Sequence, residues 1–196
     1  MGITFCRGCT SMDAIKALHE RVSVAKLAEP GPSMDQCRSL IRAALRAADH
    51  GNLQPWRFLL VQGEGRRQLG ELFVSAARAK GEPLGDAAIE RFKSMPLRAP
   101  MVMVVIARTQ EHPKVPIVEQ QYSAAAAAQN VVNAAYALGL GAIWRTGDLA
   151  YDPGVAAGLG LAEGESIIGF IYIGTPINSP EPARESNPDI FFQFWP

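Results

Sequence analysis

Hydrophobic positions along the chain follow two periods, and the switches between them mark out the elements. Helical spacing comes first at Met12–Arg21, where Ile15 and Leu18 share a face and Val22 continues it. After a Pro/Gly break over 29–32, Ser33 stands as an N-cap with Gln36 at the capping-box position. Met34, Cys37, Ile41, Ala44, Leu45 and Ala48 then form the apolar face of a second helix. Trp56–Val61 reads as a strand too uniformly apolar to be half exposed. Glu64–Lys80 returns to helical spacing, with Leu69, Leu72, Phe73, Ala76 and Ala77 inward. A break at Gly81–Gly85 leads to a short helix, Asp86–Met95. Together these two helices read as an insertion able to cover a site.

Ala99–Ala107 has the pattern of a buried central strand, followed by a loop, Thr109–Pro116, that holds His112. Val115–Leu140 is the longest helix, with Val118, Tyr122, Ala125, Val132 and Tyr136 on one face. Its Ala124–Ala128 run gives high helix propensity and a thin side-chain layer. Such a layer suits close approach by another helix, or packing on the sheet of its own domain. Ala142–Gly147 is a short strand running into a Gly turn, Val155–Leu161 a weak helix and Ser166–Gly174 a strong strand. The polar stretch after Pro176 ends in Ile190-Phe191-Phe192-Gln193-Phe194-Trp195-Pro196. Five large apolar side chains cost about 1.5–3 kcal/mol each to leave in water. The tail therefore reads as an arm whose tip packs on a second subunit or folds back on its own domain.

Between the second helix and the first strong strand lies Asp49-His50-Gly51-Asn52-Leu53-Gln54-Pro55-Trp56. Gly51 suits a positive φ that stops a helix, and Pro55 biases Gln54 to an extended conformation. The Arg38, Arg42 and Arg46 stripe, repeating every four residues, leads into this turn. Taken locally, the turn is more readily a polar helix cap than a binding element. Arg21-Val22-Ser23, followed by Lys26, brackets a hydroxyl with cations; it fits an anion site and equally a solvated helix end.

Composition narrows the function. The chain has 196 residues, with 19 basic and 19 acidic side chains. One globular domain is expected over 12–196, preceded by an extension, 1–11. Zero net charge disfavours nucleic acid as a partner. No window reaches the roughly 18 apolar residues of a membrane span, and no secretory signal is legible, so the cytoplasm is the expected compartment. Cys6 and Cys9 form a C-x-x-C without a second ligand pair or a strand–helix context, so no metal site is assigned. There is no G-x-G-x-x-G, Walker loop or nucleophile elbow.

Four segments in this order resemble the nitroreductase family, specifically its short, YdjA-like branch: Arg21-Val22-Ser23; Ala47 to Trp56, with Asp49-His50 and Gln54-Pro55-Trp56; Gly139 to Gly147, with Ile143-Trp144-Arg145-Thr146; and Ile167 to Pro176, with Gly169-Phe170 and Gly174-Thr175. The resemblance implies an α+β fold, a three-layer α/β/α sandwich with a central mixed, mainly antiparallel sheet, a long interface helix and a C-terminal arm. It implies a homodimer with one FMN per site at the subunit interface. It also implies ping-pong hydride transfer from NAD(P)H through FMN to a small-molecule acceptor such as a nitroaromatic or quinone. By that resemblance Arg21, Val22 and Ser23 hold the phosphate, and Arg46 and His50 reach the flavin of the other subunit. Trp144, Arg145 and Thr146 run beside the ring, and Asn52 and Gln54 add polar contacts. Val22 departs from the second Arg common in the branch, and Ala25 from a basic residue common in the wider family. Flavin carries its own chemistry, so no catalytic side chain is assigned. A non-catalytic FMN carrier or redox sensor is the alternative.

Overall fold

The computed structural model describes residues 12–81 and 83–195. Cys6 and Cys9 lie outside them. Its centre is a strand, β3 (Met101–Arg108), in which Met101 to Ala107 are all fully buried. β3 pairs antiparallel with β2 (Trp56–Gln62) on one edge and with β5 (Glu165–Pro176) on the other. The far edge of β5 carries β4 (Gly141–Arg145) and the two-residue β1 (Leu27–Ala28). All four of these pairings are antiparallel.

Alternation along β3 and β5 feeds two cores. Met101, Met103, Val105, Ile171 and Ile173 face α2 (Met34–Ala44) and α5 (Ile117–Ala137). Val102, Val104, Ile106, Phe170 and Tyr172 face α3 (Glu64–Ala79) and α6 (Pro153–Gly158). The expected three-layer sandwich is therefore present. α4 (Asp86–Ser94) buries no residue of its own, and lies on α3 where Gly70 leaves room for the Lys93 backbone. α3 is one of the outer layers rather than part of an insertion, because Leu69, Phe73 and Ala76 are committed to the sheet.

Several expectations fail in ways that share a cause. β2 is an edge strand, and Leu60 is 40% exposed. α2 ends at Ala44, short of Ala48, and its buried residues are Cys37, Leu40 and Ala44; Met34 and Leu45 face out. Its C-terminal end is tied by Asn130 Nδ2 donating to Ala43 O at 3.2 Å. α5 buries Ala124, Ala127, Ala128, Val131 and Ala135 in a core shared with the sheet and with α2, so its thin layer serves both close helix approach and packing on the sheet. Of the stripe expected on one face, Val132 is buried, whereas Val118 and Tyr122 are exposed, Tyr122 at 66%. In α1 (Ala14–Glu20) Ile15 and Leu18 are exposed and only Ala17 is buried. The arm does not fold back; Phe194 and Trp195 are each 91% exposed. Apolar periodicity thus marked surfaces that a single chain leaves uncovered.

One charged cluster ties the sheet across three strands. Arg57 on β2 donates to both carboxylate oxygens of Glu165 on β5, at 2.7 and 2.6 Å, with Arg108 of β3 at 3.4 Å. The hydrogen bond from Arg57, first among the causes, holds the Glu165 carboxyl below its usual value. With the folded value depressed, this stabilisation is complete above the ordinary carboxylate range and is lost as pH falls through the folded value. Glu165→Gln should lower the unfolding free energy by about 2 kcal/mol near neutral pH. In urea titrations the gap from wild type should close as the pH is taken below the carboxylate range.

Candidate functional site

The segment after α1 is pinned to the sheet edge by Val24 N donating to Ala142 O at 2.9 Å and by the pairing of Leu27 with Pro176. This places Arg21, Val22 and Ser23 beside β4, the strand that delivers Trp144 and Arg145 and then Thr146. Val22, Ser23, Ala25 and Lys26 line an open cleft of about 470 Å³ against 178–182. Lys26 therefore shares a wall with Val22 and Ser23.

Trp144 lies over β5, its Nε1 donating to Ile168 O at 3.3 Å. A Cβ at Gly169 would collide with the Trp144 indole nitrogen and crowd Arg145 O. Gly169 is thus the residue that lets the ring lie on the strand, a role its place in the Gly169-Phe170 motif signals without explaining. Arg145 and Thr146 turn to the opposite face, where with Arg98, Phe73, Phe170 and Tyr172 they line a second cavity of about 290 Å³. Burial pushes the Tyr172 phenol up, and the Arg98 and Arg145 guanidiniums oppose that shift.

The polar turn is elsewhere on the chain. It leads into β2, with β3 and β5 between it and β4, roughly 14 Å across the sheet at the usual strand spacing. Gly51 takes φ 76° as expected, but Asn52 and Gln54 also have positive φ, at 54° and 49°. The extended conformation expected for Gln54 is thus overturned. The reason is local: Asp49 Oδ2 accepts from Gln54 N at 2.7 Å, and Gln54 O accepts from Trp56 N at 2.7 Å. Left-handed backbone at non-glycine residues costs of order 1–3 kcal/mol each and persists where surroundings impose it. Arg46 follows the end of α2, so it is off the Arg38–Arg42 stripe, and Arg38 is paired with Asp35 at 2.9 Å. His50 Nδ1 lies 2.6 Å from Glu119 Oε2 on the first turn of α5.

The predicted site residues therefore form two groups on one chain. Arg21 to Ser23 stand with Trp144 to Thr146 at the β4 edge, whereas Arg46, His50, Asn52 and Gln54 stand at the β2 end against α5. Among the described residues, Arg21, Lys26, Arg46 and Arg145 have no salt-bridge partner, and the same holds for Arg42, Arg78, Arg91, Arg98, Lys114 and Arg184. The β4 edge thus brings an indole ring together with the unpaired cations Arg21, Lys26 and Arg145, while Arg46 stands at the β2 end.

A model of the nitroreductase family matches residues 18–175. The chain belongs to the nitroreductase family. It is 40% identical over 178 residues to YdjA of Escherichia coli K12, provisionally named an NAD(P)H nitroreductase, a match taking in 87% of this chain and 96% of that one. A similarly named relative from Haemophilus influenzae is 33% identical over 171 residues, covering 87% and 92%. Among solved structures, a nitroreductase-like protein of Bacillus cereus superposes with a TM-score of 0.77 at 28% identity, over 95% of this chain and 98% of that one. A nitroreductase of Desulfovibrio desulfuricans, solved in complex with FMN, gives 0.72 at 22% identity, over 95% and 100%, and shares the fold.

Within this nitroreductase chain the indole seat is testable directly. Alanine in a strand is ordinarily favoured over glycine by about 0.5–1 kcal/mol, but overpacking costs about 1–3 kcal/mol. Gly169→Ala should therefore destabilise the protein and change the near-ultraviolet circular dichroism of its tryptophans. An unchanged spectrum at raised stability would show that Trp144 does not lie on β5 as described.

Proposed function

We propose that the protein is an FMN-dependent NAD(P)H oxidoreductase acting as a homodimer, with each flavin site assembled from both subunits. When bound, FMN supplies the chemistry, taking a hydride from reduced nicotinamide and passing reducing equivalents to a nitroaromatic or quinone-like acceptor by a ping-pong sequence. Arg21 and Ser23 bind the phosphate through charge-assisted hydrogen bonds. Lys26 replaces the guanidinium that Val22 lacks, and Val22 contributes through its backbone. Trp144, Arg145 and Thr146 orient the ring, and Arg145 supplies a cation to its polar edge. Arg46 and His50, with Asn52 and Gln54, complete the site from the second chain.

The observation that carries this reading is the separation of the two groups of site residues, with two strands between them. A second chain is the simplest way to bring them to one cofactor. The uncovered apolar side chains of α1, of α5 and of the arm support the same reading, since a folded monomer seldom leaves so many in water. The relatives' names and the FMN complex of the D. desulfuricans neighbour agree with it.

The purified protein should be yellow, or become so on addition of FMN, and NADPH or NADH should bleach it anaerobically. Protein that neither binds FMN nor gains thermal stability from it would contradict the proposal. Steady-state oxidation of NAD(P)H with an added quinone separates the enzyme from a flavin carrier, which would bind FMN without turnover. Arg46→Ala and His50→Ala should each weaken FMN binding; wild-type affinity in both would remove them from the site.

A further inference from the structure

His50 and Glu119 are 69 positions apart, and nothing local in the sequence links them. Their 2.6 Å contact is slightly shorter than the roughly 2.7–2.9 Å usual for charge-assisted N–H···O bonds, so the two groups are in direct hydrogen-bond contact. An ionised carboxylate only accepts, so Nδ1 carries the hydrogen and Nε2 is left as the second polar atom of the ring. Both partners are mounted on fixed backbone. Glu119 sits in the first turn of α5, where a carboxylate interacts favourably with the helix dipole, and its amide donates to Pro116 O at 3.1 Å. On the other side, Gly51 leaves little room against Val115, where a Cβ would lie 3.1 Å from Cγ2, and Asn52 N donates to Asp49 O at 3.2 Å.

The side chains of the pair are 56% and 43% exposed. Ion pairs this open contribute about 0–1 kcal/mol to stability. Stability alone is thus a small return for a contact held by so constrained a turn, with positive φ at Asn52 and Gln54. Its larger consequence is the orientation and tautomer of the imidazole.

We propose that Glu119 is a positioning residue: it holds the His50 ring with Nδ1 protonated and presents Nε2 to the flavin site. The part that concerns the ring stands on the geometry above; the part that concerns the flavin rests on the FMN reading. Two measurements separate them. In nitrogen-15 NMR of the protein without flavin, above the imidazole titration range, His50 should show the Nδ1–H tautomer. Glu119→Ala should shift it toward Nε2–H, and Glu119→Gln, whose amide oxygen still accepts, should retain it. In FMN titrations of the dimer, Glu119→Ala should raise Kd about tenfold, the lower end of the loss when the orienting partner of a metal-ligating histidine is removed, and Glu119→Gln less than threefold. The double variant His50→Ala/Glu119→Ala should bind no more weakly than His50→Ala alone. Unchanged tautomer in Glu119→Ala, additive losses in the double variant, or a loss explained by dissociation into monomers on sedimentation would each overturn the proposal. A tautomer shift in a protein that binds no FMN would uphold the ring assignment and overturn its role at a flavin.

Discussion

Strand β5 is hydrogen-bonded along both edges, and the rest of the molecule is arranged by that constraint. β3 occupies one edge for most of its length, while β4 and β1 divide the other. Because β1 and β4 share an edge, the segment 21–26 is brought alongside Trp144 and Arg145 although more than a hundred residues separate them. Because β3 fills the opposite edge, β2 and the turn before it are held two strands away. The same pairing fixes the faces: Gly169 on β5 admits the Trp144 indole, while Phe170 and Tyr172 turn to the α3 side. The Glu165 carboxylate, at the start of β5, fastens Arg57 of β2 and Arg108 of β3 to that end of the sheet.

From this follows the division of the candidate site. Neither group of residues is complete for a flavin by itself. The β4 edge offers a hydroxyl bracketed by cations, at Arg21, Ser23 and Lys26, and the indole of Trp144. The β2 end offers a guanidinium and an imidazole on a stiff turn. Proteins place binding residues on turns held by rigid elements, and both groups meet that description. The surfaces left apolar in one chain, on α1, on α5 and along the arm, are where a second chain would meet the first.

The parts of the fold that were legible from sequence were those in which one periodicity governs a whole element. β3 is apolar at seven successive positions, and only a strand covered on both faces tolerates that. The inward residues of α3, Leu69, Phe73 and Ala76, keep strict helical spacing. The misses have physical causes. Leu60 carries the same pattern as β3, but apolarity does not say whether the cover comes from the same chain. Leu40 is buried where Met34 and Leu45 are exposed, because the Ala-rich face of α5 selects a stripe rotated around α2. Gln54 obeyed the Asp49 carboxylate rather than the bias from Pro55. Of the site, the motifs mark the residues, and Arg21, Ser23 and Lys26 read as a candidate anion site. The separation into two groups, the need for Gly169 and the partnership of His50 with Glu119 depend on contacts between distant segments, which no local pattern encodes.

The central claim is that one flavin site draws on both groups from different chains, and complementation tests it most directly. One variant would carry Arg21→Ala and Ser23→Ala, the other Arg46→Ala and His50→Ala, each binding FMN poorly alone. Mixed under conditions that exchange subunits, they should form heterodimers with one intact and one doubly impaired site. FMN binding should then return at near wild-type affinity to about half of the heterodimer's sites. No recovery in a mixture shown to contain heterodimer would mean that both groups serve the same chain's flavin, or none, and would contradict the account.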